Sequence, residues 1–496
     1  MENLDIRPPR ELRFDDPKKA PMSSTKIVSI KPTTSNSVSS ASSSDSIQFK
    51  LPSAGMLKCA SMYVKYDLDL TVADSGSGGI TATGAVADEF APDASIFARM
   101  KVFSSDGTQV TDIANYNQYC SVMNRLKKNR DEANSRGSIV RGCGVAPDES
   151  ADVGTLVPNQ HQYTHGADGG DAVSANELAI RRQEGANRNY RLLTQGLGVN
   201  GSGVAGNKVT LCHRIQGGLL DHETGHYLPT FAMGSGYQLE LNLADAKEAF
   251  RVVGNNASGK LGAVDAVNNA SSCSYSLTNI ELVCEIGFYD SSVFSAVNEL
   301  LCDGIKLRHP RVKTQVNSVT STDNNIQLSE HGRSINYLVA GCRNTANTSS
   351  FFKTTNDYLY AVDGTNKVLN YQTQIGSEVL PSQPVTYGSQ SFLELERAVS
   401  GKNEKFEIGN QINSSSYFKN NSKAEAVSGD ALFGVSFMSH ADHQEVMSGK
   451  SSSSGSIPLS LQLSFTGTPS NCELFSVVVS DQITELLHDG SCIISR

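Results

Sequence analysis

The sequence predicts an all-β chain built as two sandwiches in tandem, and three observations carry that prediction. Asn279–Phe288 (NIELVCEIGF) alternates strictly, with Ile280, Leu282, Cys284, Ile286 and Phe288 on one face and Glu281 and Glu285 on the other. Pro458–Phe465 (PLSLQLSF) does likewise, setting Leu459, Leu461, Leu463 and Phe465 against Ser460, Gln462 and Ser464. Period two marks a strand with one buried face, and each stretch closes a strand-and-loop region of roughly 200 residues, a size one sandwich reaches. The third observation is compositional. Charged residues make up 19% and hydrophobic residues 38% of the chain, the balance being rich in Gly, Ser, Asn and Thr. That is the make-up of strands joined by loops; long helices would need more Lys, Glu, Leu and Ala.

Residues 1 to about 45 read as an arm without structure of its own in the free protein, because they are Ser-rich and poor in hydrophobic residues. The first 50 residues hold eight Lys/Arg against six Asp/Glu, a balance of +2 that is too weak for a polybasic arm. Ordering against a neighbouring subunit is the better expectation. The first sandwich is then expected from Ser46 to about 290. Val64, Tyr66, Leu68 and Leu70 alternate with Lys65, Asp67 and Asp69, and Ser95–Phe103 and a turn at Ser105-Asp106-Gly107 follow. Ile113, Tyr116, Cys120, Met123 and Leu126 recur at helical spacing, with Asp112 as N-cap and Arg125, Lys127 and Lys128 suiting the dipole of the last turn. From about 131 to 210 the pattern dissolves, and so long an excursion is usually functional or decorates a surface. Alternation returns at Tyr237–Leu243.

Ser292–Cys302 has helical spacing and precedes Asp303-Gly304, so residues 291–304 are read as a connecting helix and 305–496 as the second sandwich. Strands are expected there at Lys306–Val316, Ile326–Val339 around a His331-Gly332 turn, Phe351–Val362, Phe392–Val399 and Leu432–Phe437, and in the two last strands.

Several function classes lose support. A net charge of −9 offers no overall basic surface for wrapping nucleic acid. The absence of tryptophan weighs against the aromatic platforms of a sugar-binding sandwich, which remains an alternative as a surface protein recognising a glycan or receptor. No apolar run is long enough for a spanning helix, and no secretory signal peptide is visible. The ten cysteines form no CxxC pair and read as reduced core thiols.

His222-Glu223-Thr224-Gly225-His226 matches the HExxH zinc-protease pattern, which works only on a helix that puts both histidines on one face. Gly217-Gly218, Gly225 and Pro229 deny it a helix, and Pro229 stands where the metzincin extension needs glycine. Glu240 or Glu248 could be nominated as a third ligand, but Glu240 lies in an alternating strand. A zinc hydrolase is thus a remote alternative. The pairs His161/His165 and His440/His443 lie in polar stretches without accompanying ligands, and Gly234-Ser235-Gly236 falls short of a nucleophile elbow. No catalytic, cofactor-binding or metal-binding residue is assigned, and no cofactor is expected.

The segment GGLLDHETGHYLPTFAMGSGYQLELNLADAKEAF (Gly217–Phe250), followed by YSLTNIELVCEIGFYDSSV (Tyr275–Val293), resembles the end of the first roll in the double jelly-roll major capsid proteins. These belong to icosahedral double-stranded DNA viruses of the adenovirus and large-DNA-virus lineage, and the flavour is that of polinton-like viruses and virophages. The matching features are Tyr227-Leu228-Pro229, Gly234–Gly236, Leu239–Phe250 and Thr278–Val283, and SGSIPLSLQLSFTG…LFSVVVSDQITEL resembles the last two strands of the second roll. The resemblance implies two tandem eight-stranded jelly-roll β-sandwiches with a few short helices and long loops. It further implies a homotrimer of pseudo-hexagonal outline, located in the virion and assembled inside the host cell. Its implied partners are neighbouring capsomers and penton, minor or cement capsid proteins, with room for an internal membrane beneath the shell and no sequence-specific nucleic-acid binding.

Overall fold

A computed structural model describes residues 22–39, 45–73, 81–88, 91–128, 132, 204–205, 209–223, 227–232, 236–255, 261–263, 272–346, 356–400, 412, 414–420, 429–439, 447–452, 458–487 and 491–495. Sixteen strands among them form two rolls. The first contains β1 (Met22–Ile30), β2 (Ser46–Lys50), β3 (Met56–Ala73), β4 (Phe97–Phe103), β5 (Gln109–Ala114), β6 (Val209–Arg214), β7 (Gln238–Leu243) and β8 (Ser272–Tyr289). The second contains β9 (Ile305–Val319), β10 (Asp323–Leu328), β11 (Ile335–Asn344), β12 (Val368–Ile375), β13 (Glu378–Thr386), β14 (Leu432–Ser436), β15 (Leu459–Phe465) and β16 (Cys472–Leu486).

The pairing order is the same in both. The first roll stacks an antiparallel sheet β1-β8-β3-β6 on a sheet β2-β7-β4-β5, and the second stacks β9-β16-β11-β14 on β10-β15-β12-β13. This is jelly-roll topology repeated with an offset of eight strands. The chain is therefore all-β with two eight-stranded jelly rolls, as expected. A small sheet of Thr81–Ala87, Phe250–Asn255 and Leu261–Ala263 adds to the first roll, and Cys492–Ser495 pairs with β16.

Alternation builds each core. In β3, Leu57, Cys59, Met62, Val64, Tyr66, Leu68 and Leu70 are all buried, and in β7 Leu239, Leu241 and Leu243 are fully so. Each buried leucine of β7 is worth roughly 1.5–3 kcal/mol against exposure. One bulge keeps β8 in phase. Asn279 adopts a left-handed conformation (φ 52°) where the register against β3 shifts. Tyr275 and Leu277 before it and Ile280, Leu282 and Cys284 after it consequently all face inward.

The structure corrects several expectations. Met22–Ile30, expected in a structureless arm, is a strand that pairs with β8 from Met22↔Tyr289 to Ile30↔Leu282. Ser-rich composition concealed it, but Val28 and Ile30 pack against the core while Ile27 faces out. Residues 1–21 lie outside the described residues, as does most of the 131–210 excursion. Phe392–Val399, expected as a strand, is part of a helix, α3 (Ser389–Ser400), whose buried residues are Ser391, Leu395 and Ala398. The strong helix formers Leu393, Glu394, Leu395, Glu396, Arg397 and Ala398 account for this. The described part of Phe351–Val362 makes only isolated bridges at Tyr358 and Ala361, and the β12–β13 hairpin was not anticipated.

The twin alternating stretches are also not twins. Asn279–Phe288 belongs to β8, whose counterpart is β16, whereas Pro458–Phe465 belongs to β15, whose counterpart is β7 (QLELNL). Between the rolls runs the connecting helix α2 (Ser291–Asp303), ended by Gly304 at φ 86°.

Candidate functional site: the interface between the rolls

The helix α1 (Tyr116–Lys127) follows β5 directly and lies between the two rolls. Strand alternation persists through Ile113, so the turn into the helix comes later than expected. Asn115, left-handed at φ 47°, occupies the cap position without a side-chain cap bond. Asp112, expected as the cap, is instead a strand residue held bidentately by Arg99 at 2.7 Å through both carboxylate oxygens. Every residue from Tyr116 to Leu126 is buried, including Asn117, Gln118, Ser121, Asn124 and Arg125. A helix polar on one side becomes buried all round only when both sides are covered. Here one side meets the first roll and the other the second.

Each end of α1 is fixed to a different roll. At its start, the Tyr116 hydroxyl lies 2.9 Å from His213 Nε2, and His213 Nδ1 lies 2.8 Å from Asp93 Oδ2. The Gln216 N–H donates to the Tyr116 oxygen at 2.9 Å, and Tyr66 donates to the Asp93 carbonyl at 2.6 Å. This Tyr–His–Asp chain resembles a catalytic relay, but all three side chains are sealed in the first core, and it serves to hold the helix on β6. About 13 Å further along the axis, the fully buried Arg125 reaches the second roll. Its guanidinium lies 2.8 Å from the Asp430 carboxylate and donates to the carbonyls of Gly429 at 2.9 Å and Asn356 at 3.2 Å. It also sits 5.2 Å from the centre of the Tyr358 ring.

Further bonds fix the register. Asn356 donates to Asp88 at 2.8 Å, and Arg343 donates to Gln118 at 2.9 Å while pairing with Glu473. Gln482 and Thr314 donate to the Val110 and Ala114 carbonyls of β5, and the Gly218 N–H donates to the Pro310 carbonyl. The outer face of the second roll's β9-β16-β11-β14 sheet thus lies under the first roll. Val339, Phe475, Val477 and Val479 on that face join the first roll's core, while Leu338, Ala340, Cys342, Leu474 and Val478 fill the second. A cavity of about 120 Å³ remains between β5 and β9, lined by Val110–Ile113 and His309–Lys313.

Among the described residues, His222, Glu223 and Glu240 do not form a metal-binding group. His222 and Glu223 lie in a turn after Leu220, and His226 falls outside the described residues, as do His161, His165, His440, His443, Gly234 and Ser235. The His222 ring N–H bonds the Ile215 carbonyl at 2.8 Å, and the Glu223 carboxylate pairs with Lys127 at 2.9 Å and Lys128 at 3.6 Å. Burial raises the Glu223 pKa, but Lys127, Lys128 and His222 outweigh it and pull the group down to about 2. A carboxylate held that low is a poor proton acceptor. Its neighbour Asp221 goes the other way, up to about 6, through burial and then the Glu223 charge. Glu240 is committed to Lys101 and Gln48 across the sheet. Among the described residues no group of three or more His, Cys, Asp or Glu is placed to hold a metal ion. Sequence reasoning read Arg125 only as suiting the helix dipole and missed its partners in the second roll, which lie some 230–300 residues away, and it missed His213, which no motif flags.

No family model and no curated protein sequence matches the chain. Solved structures do match, over nearly its whole length. A chain of the Sputnik virophage aligns with a TM-score of 0.55 at 14% identity, covering 99% of this chain and 93% of that one. The Faustovirus major capsid protein aligns with a TM-score of 0.55 at 10% identity (96% and 92% covered), and the mavirus major capsid protein with 0.51 at 13% identity (99% and 93%). The chain has the double jelly-roll fold of viral major capsid proteins.

Proposed function

We propose that this chain is a major capsid protein whose task is structural. Three copies would form a pseudo-hexagonal capsomer that tiles the icosahedral shell of a double-stranded DNA virus. The observation that carries this reading is the joining of two rolls of identical strand order through a helix buried from Tyr116 to Leu126. Such a subunit gives three-fold symmetry a near six-fold outline, the shape needed to tile a flat facet. The double jelly-roll fold shared with the Faustovirus and mavirus capsid proteins supports it. Its partners would be further copies of itself, neighbouring capsomers and the penton and minor proteins of the shell, with the virion as its location. Sedimentation of the purified chain tests the reading. A particle of three times 53.1 kDa, hexagonal in negative stain, is expected; a monomer at micromolar concentration would refute the capsomer.

A further inference from the structure

The strand Cys492–Ser495 belongs to the second roll by its hydrogen bonds and to the first by its packing. It pairs with β16 from Leu486↔Cys492 to Ile483↔Ser495, and the Leu487 N–H donates to the Ser491 carbonyl at 3.1 Å. Cys492 nevertheless joins the first roll's core, and Ile494 packs against that core. The contact is made with the turn between β4 and β5. There the Asp106 carboxylate accepts the Cys492 backbone N–H, and the Ser104 hydroxyl bonds the Cys492 sulfur. We propose that this strand is a strap across the seam, one that lifts from the first roll and recloses on it while both rolls stay folded. The proposal does not depend on the capsid reading.

Three observations make it a strap and not one more core strand. It is short, four residues against fifteen in β16, and among the described residues its ladder runs along β16 alone. Of its four residues only Cys492 is buried; Ile494 and Ser495 are half-buried and Ile493 is 54% exposed, so little apolar surface holds it down. The third concerns Tyr237, fully buried close to Asp106 and Cys492, whose hydroxyl has no hydrogen-bond partner among the described residues. A buried hydroxyl left without its bond is a cost of the closed state, and lifting the strand would let water reach it. Asp106 supplies the opposite pull. Its carboxylate is already held by the Ser104 hydroxyl and by the Thr108 N–H at 2.9 Å, so it stands in place to receive the Cys492 N–H again. Low local stability over a prepared seat is what reversible local opening requires. The seam then has two fastenings of different kinds, Arg125–Asp430 fixed and the strap movable.

Thiol labelling of the full chain tests this, because other cysteines serve as internal standards. The native protein is reacted with iodoacetamide and each cysteine is followed by peptide mass mapping. Every rate is divided by that of the same cysteine in urea-unfolded protein, which removes differences in intrinsic thiol reactivity. Cys302 is exposed and reports an open thiol, whereas Cys59 and Cys342 are fully buried in the first and second cores and report unfolding of each roll. Cys492 is expected to react at least about tenfold more slowly than Cys302 and at least about a hundredfold faster than Cys59 and Cys342. Ile494→Ser loosens the strap without touching the thiol, and should speed Cys492 by about tenfold while Cys59 and Cys342 keep their wild-type rates. Protection of Cys492 equal to that of Cys59 and Cys342 would mean that the strand leaves only when the chain unfolds, and overturns the strap. So would a Cys492 as reactive as Cys302, since the strand would then never close. An Ile494→Ser variant that speeds all three buried thiols alike refutes it too, by making the strand part of the global fold.

Discussion

Arg125→Met is the sharpest probe of how the rolls are joined. Methionine keeps the unbranched stem that packs in the interface and removes the charge. Asp430, whose side chain is 2% exposed, would then hold a buried charge without its cation. Breaking a buried pair in this way costs about 3–5 kcal/mol. The Gly429 and Asn356 carbonyls also lose a donor, a loss of about 1–3 kcal/mol that overlaps with the first and does not simply add. A net destabilisation on the order of 4 kcal/mol is expected, moving the urea midpoint down by roughly 1 M. Far-UV circular dichroism and tyrosine fluorescence report the transition; with sixteen tyrosines and no tryptophan, the tyrosine signal is not masked. Replacing Asp430 by Asn in the same background removes the stranded charge and should recover about 2 kcal/mol. An Arg125→Met variant within about 1 kcal/mol of wild type, or a double variant no better than the single one, would refute the assigned role.

Two further outcomes follow from the same region. A Cβ added at Gly341 would lie 2.6 Å from the Tyr358 ring and 2.8 Å from Leu432, so Gly341→Ala should destabilise by about 1–3 kcal/mol through overpacking, read in the same urea titration; a neutral result would mean that Tyr358 moves freely. The Asp221 carboxyl, raised to about 6 from 3.8, favours its neutral form in the folded state. Its contribution is therefore full below about pH 4 and lost as pH rises through 6, a loss of order 3 kcal/mol between pH 4 and 7. Glu223 has the opposite sign, its contribution being present above 4.5 and lost as pH falls towards 2. Asp221→Asn should accordingly gain on wild type as pH rises from 4 to 7, and parallel stability curves would exclude the shift.

How much of this was legible in the sequence depends on where the determining contacts lie. Strands with one wet face announce themselves: Leu239, Leu241 and Leu243 alternate with polar neighbours, so the period survives in the text. The central strands β11 and β16 lack that alternation, because both their faces are covered and Leu338-Val339-Ala340 reads as a continuous apolar run; they are expected all the same, β11 in part through Val339 and β16 as the last strand. The edge strand β1 was lost for the opposite reason. Among its described side chains Val28 and Ile30 pack inward and Ser29 faces out, so composition outvoted a short pattern. The helix α1 was recognised from Tyr116, Cys120, Met123 and Leu126, but its start was misplaced. An N-cap inferred from residue type cannot compete with Arg99, which holds Asp112 in the strand. The role of Arg125 was invisible because a basic last turn already has a local explanation in the helix dipole, and nothing near it names Asp430.

The same comparison explains why the two kinds of interface in the proposed capsomer should differ in chemistry. The seam between rolls lies within one chain and forms as that chain folds. It can therefore hold a desolvated Arg125–Asp430 pair whose value is directional: a charge that must find its partner disfavours every other seating of one roll on the other. It can also present the unbroken apolar row Phe475, Val477 and Val479 without exposing it to solvent. A surface that meets another chain exists alone first, and has to be soluble before it is sticky.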